Sequence, residues 1–176
     1  QTSIPADLEL PRLEGPTDAM HASLVENTVR AAPKLAPWIE QHADAIAAAA
    51  SHPDDNALVH GDLWYSNLCF LPDRVVVVDW SHARRGSRWF DASTVGIDLV
   101  IGGRRPLPME EAAAWAADHL AWTLWGLAEG PWPGIADVSR WRLDNLELVD
   151  GAAWWLAHEL GLPAPPVITE RRPGWE

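Results

Sequence analysis

Three oxygen-bearing side chains have the types and spacing to serve one divalent cation and one hydroxyl: Asp62, Asn67 and Asp79. Asp62 and Asn67 stand five residues apart in Leu58-Val-His-Gly-Asp-Leu-Trp-Tyr-Ser-Asn67, and Asp79 closes the run Val75-Val-Val-Val-Asp79-Trp80. Transfer of a phosphoryl group from ATP passes through a loose transition state, so a protein contributes mainly position and charge neutralisation. That requires a carboxylate to aim the acceptor hydroxyl. It also requires hard oxygen ligands for Mg2+, which takes octahedral oxygen at about 2.0–2.1 Å. Asp62 suits the first task, and Asn67 and Asp79 suit the second. A capped loop followed by a strand ending in Asp uses the same residue types; the order and interval are what favour the chemical reading.

The elements around these residues must bring them together. Residues 68–71 and 75–78 are apolar runs flanking Pro72-Asp73-Arg74, which predicts a hairpin. With a three-residue loop, Leu68 faces Val78 and Asn67 faces Asp79, their Cβ atoms about 4.5–5.5 Å apart. The loop lacks the Gly usual in three-residue hairpins, and a slip of one residue would offset the pair. Both runs are apolar on both faces, so the hairpin is expected to be buried. Cys69, the single cysteine, is then expected to be a buried, inert thiol. Residues 57–59 form a short strand leading into the loop that carries His60 and Asp62.

The remainder reads as helical. Residues 1–16 hold Pro5, Pro11 and Pro16 with no sustained period, and read as a linker or extended segment. Residues 17–162 form the main unit. Thr17 can cap a first helix with Leu24, Val25, Thr28 and Val29 at helical spacing, ended by Pro33. Pro37 sits in the first turn of a second, with Ile39, Ala43, Ile46, Ala47 and Ala50 on one face, broken by residues 51–56. Three more follow, over 92–101, from Pro108 to about Glu129, and from Ala136 to about Leu160. The last is closed by Gly161 and Pro163, with Gly151 as a candidate kink. Residues 163–176 are Pro-rich and expected to be a loose tail. Most of the twelve Trp, among them Trp115, Trp122, Trp141 and Trp155, fall on apolar helical faces, where core packing explains them.

Composition narrows the partners. The 25 acidic and 13 basic residues give a formal charge of -12, which repels nucleic acid and anionic membranes and favours cationic molecules. Acidity also serves solubility alone. One cysteine excludes an internal disulfide framework and suits a reducing cytoplasm. No run reaches the roughly 18 apolar residues of a membrane span. His82, His119 and His158 have no ligand spacing, so no zinc site is expected. His60 is better read as a hydrogen-bonded structural residue than as a ligand, because Mg2+ prefers oxygen. Arg84, Arg85 and Arg88 can approach a phosphate or line a solvated loop. Asp118, Glu129, Asp137, Asp144 and Glu147 can meet a cationic acceptor or occupy exposed helix faces.

His60-Gly61-Asp62 with Asn67, then Val78-Asp79-Trp80, Arg85-Gly86 and Asp91-Ala92, resembles the aminoglycoside phosphotransferase family, related to choline kinases and more distantly to protein kinases. The resemblance is strongest over residues 58–96. It implies an α+β, mostly α-helical fold: a protein-kinase-like carboxy-terminal lobe with a small β-hairpin at the catalytic loop. It further implies Asp62 as catalytic base, Asn67 and Asp79 as Mg2+ ligands, His60 as a brace, and Asp91 as a buried acid anchoring the loop backbone. There are two departures. Many relatives carry an acid two places after the metal-binding Asp, where this chain has Ser81. Residues 1–56 also hold no glycine-rich loop and no strand bearing a phosphate-pairing Lys, and Lys34, between two helices, is no substitute.

The expectation is therefore a small-molecule kinase lobe. With Mg2+ it would transfer the γ-phosphate of ATP, or of another nucleoside triphosphate, to the hydroxyl of a small acceptor, an amine-bearing one suiting the charge. The nucleotide-gripping amino-terminal lobe would be supplied in cis or in trans. The alternative is a non-catalytic binding module that keeps the scaffold, or one chain of a two-chain enzyme.

Overall fold

A computed structural model describes residues 9–12, 18–50, 57–106 and 108–170. Thr17, the 51–56 helix break and residues 171–176 of the tail lie outside these. The architecture is α+β and mostly helical, with two small antiparallel sheets. Among the described residues six helices, α1 (Asp18–Ala22), α2 (Leu24–Ala31), α3 (Ala36–Ala49), α4 (Phe90–Ile101), α5 (Ala112–Glu129) and α6 (Val138–Leu160), enclose one core. Its centre is Ile39, Ile46, Ile97, Leu120, Leu124, Leu156 and the buried ring of Trp155. The strands β1 (Ala57–Val59), β2 (Leu68–Phe70), β3 (Val75–Val77) and β4 (Arg84–Gly86) lie between α3 and α4 in sequence.

Local chemistry explains the long helices. α5 is rich in Ala and Leu, the strongest helix formers, and stops at Gly130, whose φ of 96° a residue with Cβ resists. α6 starts where the Asp137 carboxylate accepts the Arg140 amide at 2.8 Å. It ends at left-handed Gly161, where Leu162 N–H donates to Ala157 O and Gly161 N–H to His158 O. The Arg30 guanidinium donates to Ala128 O at 2.7 Å, and Arg142 to Ala31 O at 2.9 Å. Each puts a cation at a helix carboxy-terminus, where unsatisfied carbonyls carry negative partial charge.

Gly151 does not break α6, which runs unbroken through it. It provides close approach instead, since a Cβ there would lie 2.8 Å from Ile101 Cγ1. Gly96 on α4 does the same opposite the Trp155 ring, at 3.1 Å. The first predicted helix is divided into α1 and α2 at Ser23, and Val29 faces outward rather than into the core. Of the four singled-out tryptophans, Trp155 and Trp115 are buried, Trp141 is partly buried, and Trp122 is exposed.

Both terminal segments are tied down where described. Pro11 O accepts the Arg85 amide at 2.9 Å, and Arg12 bridges to Arg85 in parallel, adding an extended segment beside β4. The tail, expected to be loose, crosses the helices. Trp38 Nε1–H donates to Pro163 O at 2.8 Å. The buried Asp150 carboxylate accepts the amides of Ile168 and Thr169, each at 2.9 Å, and the Thr169 hydroxyl at 2.6 Å. Three donors engage both oxygens of this buried acid, so neither is left without a partner.

The hairpin departs from expectation twice. It is exposed rather than buried: Phe70, Leu71, Val75 and Val78 face solvent, and so does Cys69. An apolar run records what a strand can be covered by, and here no described layer lies over β2 and β3. The register also slips by one. Leu68 pairs with Val77, and Val78 N–H donates to Asn67 O at 3.0 Å. Asn67 therefore stands opposite Val78, and Asp79 one position beyond. Leu71 and Arg74 are joined by Leu71 N–H to Arg74 O, leaving the two-residue tip Pro72-Asp73. A three-residue loop needs a left-handed residue that this loop does not supply.

Candidate active site

The loop between β1 and β2 is held from below by α4. Asp91, in the first turn of α4, accepts the His60 amide at 2.7 Å through Oδ2 and the Gly61 amide at 3.0 Å through Oδ1. One carboxylate thus fixes two successive peptide units. Gly61 has φ of +81°, and a Cβ on it would run into the His82 carbonyl oxygen. The loop and the turn after β3 touch there, at a spot only glycine fits.

His60 is almost completely buried and bridges the two halves of the site. Its Nε2–H donates to Val78 O at 2.8 Å, so Nδ1 bears the lone pair that the Asp62 amide approaches at 3.3 Å. The partners thus assign the tautomer. The ring joins the backbone of Asp62 to the residue before Asp79, with the Trp80 ring edge-on at 4.8 Å. Asn67 closes the loop: its Nδ2 donates to Asp62 O at 2.7 Å and to Asp62 Oδ2 at 3.1 Å. The amide nitrogen is committed to Asp62, and the amide oxygen is the end with affinity for a hard cation.

Asp79 leaves β3 in a left-handed conformation, φ 59° and ψ 61°, which Asp tolerates better than most residues. Its exposed carboxylate accepts the Ser81 hydroxyl at 2.7 Å. That hydroxyl, followed by the Ser81 backbone amide, holds the Asp79 carboxyl below the usual Asp value. Asp98, two turns after Asp91 on α4, goes the other way: burial raises it, and the Tyr65 amide partly offsets this.

The structure thus brings Asp62, Asn67, His60 and Asp91 into one bonded loop, and joins it to the Asp79 turn through His60 and Gly61. It does not bring Arg84, Arg85 and Arg88 into one cluster. Arg84 and Arg85 are consecutive in β4, so their side chains leave opposite faces, and Arg88 is exposed beyond the strand. Four of the acidic helix residues, Asp118, Glu129, Asp137 and Asp144, have protein partners. Buried Asp118 meets His21 at 3.0 Å, Asp137 caps α6, Asp144 pairs with Arg140 at 2.8 Å, and Glu129 lies 3.8 Å from Arg30. Sequence reasoning missed Asp98 and the Ser81 contact. The spacing of Asp91 and Asp98, seven residues apart on one helix face, was the available signal for the former.

The donor set fits Mg2+. Among the described residues no three His, Cys, Asp or Glu side chains form a metal cage. An ionised Asp79 and an amide oxygen make an open oxygen site, which suits a cation that keeps water and phosphate among its ligands. Asn67 and Asp79 would hold it, supplying charge neutralisation for phosphate oxygens. A half-open cavity of about 170 Å³ at the end of α6, lined by Trp154, Ala157, His158, Leu162 and Ala164, includes none of these groups. No described helix is long and apolar enough to cross a membrane.

Comparison with curated proteins returned no match. A family model matches residues 2–133, three quarters of the chain and all of the loop, hairpin and α4 described above. The chain therefore belongs to the phosphotransferase enzyme family, the aminoglycoside phosphotransferase-like family that its motifs resemble.

Proposed function

We propose that this chain is the catalytic lobe of a cytoplasmic small-molecule kinase that transfers the γ-phosphate of ATP to an acceptor hydroxyl with Mg2+. The observation that carries the reading is the bonded loop: Asn67 holds Asp62 by two hydrogen bonds while His60 ties that loop to Val78, beside Asp79. With Oδ2 engaged by Asn67, Asp62 turns Oδ1 to an incoming hydroxyl, aims it, and accepts its proton late in the transfer. Mg2+, held by Asn67 and Asp79, supplies neutralisation of the phosphate charge. The net charge of -12 favours an amine-bearing acceptor through long-range attraction.

The nucleotide grip is assigned to a separate lobe, in the same polypeptide or a second chain. Support comes from the apolar surface beside the site, formed by Tyr65, Phe70, Leu71, Val75, Val78 and Trp80. Exposed apolar side chains concentrated on one small hairpin, with the Tyr65 and Phe70 rings 5.5 Å apart, are what an interaction face presents. The test is transfer of labelled γ-phosphate from ATP to a panel of hydroxyl acceptors by the native full-length polypeptide. Asp62→Asn and Asp79→Asn should each lower turnover by at least about a hundredfold, the lower end for a positioned acid–base group. Retained turnover in Asp79→Asn would overturn the metal assignment. Failure of wild type on every acceptor, with no MgATP binding, would favour the non-catalytic module.

A further inference from the structure

Ser81 is exposed beside Asp79, and the phosphoryl-transfer reading gives it no task. Its hydroxyl lies 2.7 Å from Asp79 Oδ1, in a turn that is otherwise well determined. Val78 N–H is held by Asn67 O, Trp80 Nε1–H by Val77 O at 3.1 Å, and Ala83 N–H by Trp80 O at 3.0 Å. These bonds fix the backbone on either side of Asp79 without its side chain. What they leave free is rotation of the exposed carboxylate, which the Ser81 hydroxyl, the stronger contact, stops together with the Ser81 backbone amide.

We propose that Ser81 is a positioning residue of the metal site: its hydroxyl occupies Oδ1 of Asp79 and presents Oδ2 to the divalent cation. This rests on the metal assignment made above. An ionised carboxylate at position 81 could not donate that hydrogen bond and would add a second negative charge beside Asp79. A serine keeps the site at one oriented carboxylate plus the Asn67 amide oxygen. Such a site leaves most of the octahedron to water and phosphate. Groups that hold a metal ligand from behind commonly change metal affinity 10–100-fold when removed.

The test uses the whole chain and Mn2+ alone as the probe, read by paramagnetic broadening of backbone amide signals. Wild type should show broadening centred on Asn67 and residues 79–81, and Asp79→Asn should abolish it. Ser81→Ala should require about tenfold more Mn2+ for the same broadening, from the lower end of that range. Ser81→Thr, which keeps the hydroxyl, should restore wild-type sensitivity. Unbroadened signals elsewhere in each spectrum report that the fold is intact, so a structural role alone would leave the Mn2+ dependence unmoved. If Ser81→Ala matches wild type while Asp79→Asn abolishes broadening, the Ser81 assignment falls and the metal site stands. If wild type shows no broadening at Asp79, both fall.

Discussion

Asp91 spends its whole carboxylate on two peptide N–H groups of the catalytic loop, His60 and Gly61. An unsatisfied, partly buried donor costs about 1–3 kcal/mol. Asp91→Ala should therefore lower unfolding free energy by roughly 2–5 kcal/mol in urea titration. Asp91→Asn, which retains one accepting oxygen, should fall between it and wild type. The left-handed backbone at Asp79 separates two substitutions usually treated as equivalent. Asn tolerates that conformation, whereas Ala is strained in it by about 1–2 kcal/mol. Asp79→Asn should keep the melting temperature and Asp79→Ala should lower it, so only the former isolates the charge. His60, Asp62 and Asn67 were legible because an interval of five residues within one loop survives any fold around it. Ser81 was visible only as a departure, since a hydroxyl's bond to a residue two places away depends on a backbone turn that no periodicity encodes.

At the scale of elements, the helices follow from punctuation and period. Gly161 closes α6 and Pro37 sits in the first turn of α3 as expected, because caps and proline act within one turn. The hairpin was less legible. Apolar alternation cannot distinguish a two-residue from a three-residue tip, and that choice moved Asn67 from opposite Asp79 to opposite Val78. Nor can it say which strand is covered. Gly151 likewise has two meanings in a sequence, a weak point or a close approach, and the Ile101 side chain decides for the second. Gly151→Ala should destabilise the protein by about 1–3 kcal/mol as an overpacked contact. Measured by thermal unfolding, the loss caused by Gly151→Ala should be smaller in an Ile101→Ala background, which removes the Cγ1 atom the new methyl would meet.

Across the whole molecule, acid is expected to act through His119. Burial holds this imidazole down to about 4. It donates from Nε2 to Ser93 Oγ at 2.8 Å, because the Ser93 hydroxyl is already spent on Phe90 O at 2.6 Å. Nearby Asp118 opposes the depression without cancelling it. The unfolded chain therefore binds this proton more readily than the folded one. Stability is fully present above about pH 6.5 and is lost as pH falls toward about 4, by on the order of 3 kcal/mol. Asp98, raised by burial, works in the opposite sense: its contribution is greatest when protonated and fades as pH rises through its folded value. Urea midpoints should therefore drop between pH 6.5 and 4 in wild type, and drop less in His119→Gln. The exposed hairpin carries a different consequence. Cys69 is the chain's single thiol, lies on the outer surface of β2, and follows Asn67 by two residues. One fluorophore coupled there would turn the native protein into a sensor with a unique label, and any lobe, nucleotide or second subunit that settles on the hairpin would announce itself as a change of colour or anisotropy.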